Sequence, residues 1–151
     1  MKQTLAAVAL IVLTAPLAVA QDNTAPAAVA RQFVDAFNKG DVKGATAACA
    51  EQTSIVDEFP PHEWHGPGAC AKWFGDFAAD AKKNNITDAI VTIGAPKHAD
   101  VTGDRAYLVV PAGYTYKQGG KPMKETGSAF TFAMQKIGAT WRIIGWSWTK
   151  G

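Results

Sequence analysis

From Thr87 to Thr149 the sequence keeps the two-residue period of β-strands through one turn signal after another. This constrains the fold more than any other feature. Residues 87–101 are rich in β-branched side chains, with a bend expected at Gly94-Ala95-Pro96. Residues 105–116 alternate, with Leu108, Val110, Tyr114 and Tyr116 on one side; Thr102-Gly103-Asp104 and Lys117-Gln118-Gly119-Gly120 turn the chain at the two ends. Residues 125–136 place Ser128, Phe130, Phe132 and Met134 on one face. Gly138-Ala139 turns again, and 141–149 closes the chain with Ile144, Trp146 and Trp148 together. Strands joined by such short turns are antiparallel neighbours.

The half before Asn85 has the helical period instead. Val29, Phe33 and Phe37 recur every four residues, Ala30 and Val34 widen the stripe, and Lys39-Gly40 ends it. Asp41 is placed to cap a second, shorter helix running to about Cys49. Residues 53–59 alternate, with Thr53, Ile55, Asp57 and Phe59 on one side, until Pro60-Pro61 stops them; 62–67 reads as loop. A third helix begins near Pro67, with Cys70, Trp73, Phe74, Phe77, Ala78 and Ala81 on one face and a polar end at Lys82-Lys83-Asn84-Asn85. Helices first and a meander afterwards give an α+β class, not a βαβ one.

Hydrophobic residues make up 48% and charged residues 19%, which excludes a disordered tail or a coiled coil. The net charge of +2, without a Lys/Arg cluster, argues against nucleic acid as the main partner. Residues 1–20 read as a cleaved signal peptide: Lys2 as the positive start, an apolar run over 5–13, Pro16, then Ala18-Val19-Ala20 before Gln21. The apolar run is short of the roughly 18 residues that a membrane span needs. The mature chain, 21–151, is then a single periplasmic or secreted domain with no membrane attachment. In an oxidising compartment Cys49 and Cys70 are expected to form a disulfide; the alternative is two buried thiols. Neither has a histidine or lysine next to it to make a reactive thiolate.

The element order, together with Phe33-Val34-Asp35-Ala36-Phe37-Asn38-Lys39-Gly40-Asp41, Ser54-Ile55-Val56-Asp57 with Gly66 nine positions on, and Trp141-Arg142-Ile143-Ile144, resembles the nuclear transport factor 2-like superfamily. Within it the pattern is similar to SnoaL-like and ketosteroid-isomerase-like proteins. The resemblance implies a curved antiparallel sheet forming a cone around three N-terminal helices, with a pocket in its mouth. It also implies a proton-shuttling role for Asp57, which occupies the position of a carboxylate nine residues before a glycine. Two departures count against steroid isomerisation. Phe33 stands where those isomerases carry a tyrosine donor, and Ser128 falls near their second donor, a carboxylic acid. A phenyl ring donates no hydrogen bond.

The pocket residues expected from this reading are Phe33, Phe59, Trp73, Tyr114, Ser128, Phe130 and Trp148. A polar constellation, Asp57, Glu58, His62, Glu63 and His65, lies nearby. His62-Glu63-Trp64-His65 is one residue short of H-E-x-x-H and sits between Pro61 and Pro67, so His62 and His65 read as rim residues and no metal is expected. Three functions follow. The first is a binding module for a small, largely apolar molecule. The second is a proton-transfer enzyme of isomerase or dehydratase type with Asp57 as general base. The third is a non-catalytic dimeric adaptor whose pocket is filled by its own side chains. None calls for a cofactor. A homodimer is expected through an exposed patch of Trp141 and Ile143, flanked by Tyr107 and Val109, on the convex face; the alternative is that helix packing or a β-bulge buries Trp141 within the monomer.

Overall fold

A computed structural model describes residues 24–151; the signal peptide and cleavage point read at 1–21 lie outside the described residues. The elements run α1 (Thr24–Asn38), α2 (Val42–Ala48), β1 (Cys49–Val56), β2 (Glu63–Pro67), α3 (Ala69–Lys83), β3 (Ile86–Ile93), β4 (His98–Thr102), β5 (Arg105–Gln118), β6 (Lys121–Ile137) and β7 (Thr140–Thr149). The class is α+β, with an open curved sheet and the helices toward the N-terminus.

Helix α1 buries the stripe Ala30, Phe33 and Val34. Its last residue, Asn38, clamps β3 through both amide atoms, accepting from the Val91 N–H and donating to the Val91 carbonyl, each at 2.8 Å. Asp41 caps α2 as its position implied, its Oδ1 accepting the Gly44 N–H at 2.9 Å. Helix α3 turns Cys70, Trp73 and Phe74 into the core, with Phe77 packed against it. Cys49 and Cys70 are joined, their Cα atoms 6.5 Å apart, so a disulfide ties the start of β1 to the first turn of α3.

The sheet order is β2-β1-β7-β6-β5-β3, with β4 also paired to β5. The pairings are antiparallel except one. β1 and β7 run parallel, since β1 enters from α2 and meets the last strand without a hairpin between them. The 62–67 segment, expected as loop, contains the strand β2. The chain reverses between Asp57 and His62, the Asp57 N–H donating to the His62 carbonyl at 3.0 Å, and the return strand buries Trp64. Burial of that indole repays a strand in an otherwise polar segment. Residues 87–101 break at the expected bend into β3 and β4, which pair with successive lengths of β5.

Two irregularities shift the side-chain phase of the late strands. Opposite Ala112–Tyr114 of β5, register passes from Ser128 to Glu125, so two steps on β5 face three on β6. Gly127, at φ +81°, takes up the extra residue. Between β6 and β7, Ala133 pairs with Gly145 and Met134 with Ile143, leaving Ile144 as the extra residue. Through this second bulge Trp141 and Ile143 are buried along with Trp146. The exposed Trp141–Ile143 patch expected from strict alternation therefore does not exist, and the homodimer loses the surface on which it was argued. Tyr107 is exposed, but it stands without those neighbours.

Candidate functional site

Between α1, α3 and the concave sheet face lies a cavity of about 370 Å³. Of the pocket residues expected from sequence, Phe33, Phe59, Trp73, Tyr114, Phe130 and Trp148 line it, as does Asp57. Ser128 does not: it is buried on the sheet beyond the lining, and its hydroxyl has no hydrogen-bond partner. Trp73, Phe130 and Trp148 wall the space without filling it, so the reading of a cone packed shut by its own side chains fails.

Asp57 follows β1 directly and continues the inward face of Thr53 and Ile55. Its Oδ2 accepts from Trp73 Nε1 at 2.8 Å, and its Oδ1 from the Glu58 N–H at 2.7 Å. Burial raises its pKa from 3.8 to about 6. The two hydrogen bonds favour the ionised form but do not offset desolvation, and the charges of Glu58 and Glu125 push the same way as burial.

Opposite charges meet at the same cavity. Lys150 Nζ lies 2.8 Å from both Glu58 Oε2 and Glu125 Oε1, which pins the chain's end across the β1–β2 turn and β6. The Glu125 side chain is only 9% exposed, and its Oε2 is buried without a partner. Burial also raises the pKa of Tyr114, keeping its hydroxyl neutral. That hydroxyl and the indole N–H groups of Trp146 and Trp148 are buried without partners on residues that line the cavity. Sequence reasoning missed Glu125 and Lys150. Strict alternation sets Glu125 opposite to Ser128, and only the bulge at Gly127 brings it inward. The available signal was a glycine inside a strand.

The two rim histidines stand outside the lining. His62 is exposed, its Nδ1 3.2 Å from the Asp57 carbonyl, and His65 is exposed with Nε2 3.2 Å from Glu63 Oε2. Among the described residues no group of three His, Cys, Asp or Glu side chains is placed to hold a metal.

Residues 30–143 match the SnoaL-like domain. The chain belongs to the SnoaL-like domain family. No curated protein matches it. Among solved structures, this SnoaL-like chain is similar to a nuclear transport factor 2-like superfamily protein from Salmonella enterica serovar Typhimurium. That match has a TM-score of 0.70 at 15% identity, covering 85% of this chain and 89% of the other. A ketosteroid isomerase-like protein from Erwinia carotovora atroseptica gives 0.66 at 16%, covering 84% and 94%. A protein with a cystatin-like fold from Novosphingobium aromaticivorans gives 0.67 at 14%, covering 84% and 80%. At these identities the likeness is one of fold, and the chemistry rests on this SnoaL-like chain's own residues.

Proposed function

We propose that this SnoaL-like domain is an exported binding module for a small, largely apolar molecule, held with its apolar body against the aromatic walls and its polar end toward the lining carboxylates, Asp57 and Glu125 among them. One observation carries the reading: an aromatic-walled cavity of about 370 Å³ with a half-buried carboxylate in its wall. Cavities of roughly 300–1,000 Å³ with a few convergent polar groups are the usual form of small-molecule sites. Export is supported by the leader pattern and by the Cys49–Cys70 bridge, which suits an oxidising compartment. Among the described residues no helix is long and apolar enough to cross a membrane.

The test is titration of tryptophan emission with 2-phenylethanol, since Trp73, Trp146 and Trp148 line the cavity. A saturable change is expected, and Val91→Trp, which places an indole in the same space, abolishes it. A linear, unsaturable response in both proteins contradicts the reading.

The second reading, proton transfer with Asp57 as base, is favoured by its pKa near 6, which leaves it ionised and still basic at neutral pH. Tyr114 and Trp148 carry the unpaired donors that the Phe33 position lacks. The same burial makes the stability of the fold depend on pH. Below the unfolded pKa of 3.8 the carboxyl is neutral in both states and costs nothing. Between 3.8 and about 6 the folded state binds more protons than the unfolded one, so stability falls as pH rises through that window. Above it the ionised, desolvated group carries a constant cost on the order of 3 kcal/mol. Asp57→Asn lacks this slope. Urea unfolding of both proteins from acid to neutral pH is expected to show the variant gaining on the parent up to about pH 6; parallel profiles contradict the buried-base assignment. If a substrate is found, its turnover should rise with pH through the same midpoint and fall roughly 100-fold or more in Asp57→Asn.

A further inference from the structure

The charges around the cavity are unequal. Four carboxylates line it, Asp57, Glu58, Asp80 and Glu125, against one cation, Lys150. Lys150 is divided between Glu58 and Glu125 and its side chain is more than half exposed, so water screens much of its charge. Glu125 is the opposite case. Its side chain is nine-tenths buried, one oxygen takes the shared lysine, and the other has no partner. A buried carboxylate oxygen left without a donor is costly, and a donor that is also a cation satisfies it best.

The walls agree with the charge. Tyr114 and Tyr116 stack with ring centroids 4.7 Å apart, and Trp148 meets Tyr114 edge-on at 6.4 Å. All three line the cavity, and Tyr114 is the register partner of Glu125. Faces of tyrosine and tryptophan attract cations, more strongly where water is displaced. An anion meets the reverse: four lining carboxylates against a single lysine, and electron-rich ring faces.

Resting on the binding reading above, we propose that the cavity selects a cationic ligand, a small apolar molecule bearing a protonated amine, with Glu125 as its counter-ion and Tyr114, Tyr116 and Trp148 around the ammonium. The pocket thus discriminates by charge among molecules of one shape.

The test uses three matched probes, 2-phenylethylamine, 2-phenylethanol and phenylacetate, in calorimetric titrations near neutral pH. The amine is expected to bind about tenfold or more tighter than the alcohol, the carboxylate weakest of all. Glu125→Gln, which keeps the shape, brings the amine to within about threefold of the alcohol, whereas a tenfold preference for the amine that survives in this variant overturns the role of Glu125. Lys150→Met removes the one lining cation and strengthens amine binding severalfold, a gain that a folding defect cannot produce. Alcohol binding as tight as the amine overturns the cation preference and leaves the apolar binding reading intact. Phenylacetate as the tightest probe overturns it too. Failure of all three probes to bind overturns both.

Discussion

Phe33→Ala is expected to destabilise the fold by roughly 3–5 kcal/mol, the largest effect of any single truncation proposed for this chain. Phe33 is 1% exposed and sits where every layer meets. Its ring centroid lies 6.0 Å from those of Phe74 and Trp146, 6.3 Å from Phe130 and 6.4 Å from Phe132. The contacts to Phe130 and Phe132 are edge-to-face, which favours them beyond the area they bury. Truncation removes the transfer energy of the ring and widens a space that its rigid aromatic neighbours cannot close. Small domains hold only about 5–15 kcal/mol in total, so Phe33→Leu serves as the companion that stays folded and loses far less. Urea unfolding at constant m measures both. A loss below about 1 kcal/mol for Phe33→Ala contradicts the packing described. Because Phe33 also walls the cavity, the alanine protein, where it folds, should accept bulkier ligands than the parent.

Removing the disulfide is expected to cost about 3 kcal/mol in the double variant Cys49→Ala, Cys70→Ala. The bridge closes a separation of 21 residues that includes β1, the reversal at Asp57–His62 and β2. Opening it therefore frees the segment that carries Asp57 relative to the helix that carries its partner Trp73. Stability and site geometry should fall together, with ligand affinity weakening more than in a surface control of equal stability. The bridge takes both cysteines of the chain, so the protein, denatured without reductant, should show no free thiol. Two titratable thiols, or a double variant as stable as the parent, contradict the bridge's role.

Local period carried much of this architecture into view. The stripes of α1 and α3, the inward face of β1 through Asp57, and the aromatic rows of β5, β6 and β7 are all properties of spacing within one segment. What spacing cannot encode is register between segments. The parallel pairing of β1 with β7 depends on strands almost a hundred residues apart, and β2 depends on burying Trp64, one apolar residue in a polar stretch. The two bulges mattered most, since each reverses the face of every residue beyond it. Ile144 hid Trp141 and so removed the dimer patch; Gly127 turned Glu125 inward and so added a carboxylate to the cavity. Glycine within a strand announces the second. Ile144, a good strand former, announces nothing.

On the proposed function a small molecule occupies the space between α1, α3 and the sheet. The five tryptophans make it directly measurable, because Trp73, Trp146 and Trp148 line the cavity while Trp64 and Trp141 are buried outside it. In a nitrogen-15 NMR titration with 2-phenylethylamine and with 2-phenylethanol, the indole N–H signals of Trp73, Trp146 and Trp148 are expected to move saturably, and those of Trp64 and Trp141 to move little. Signals that shift uniformly, or that stay fixed with both probes, contradict the account.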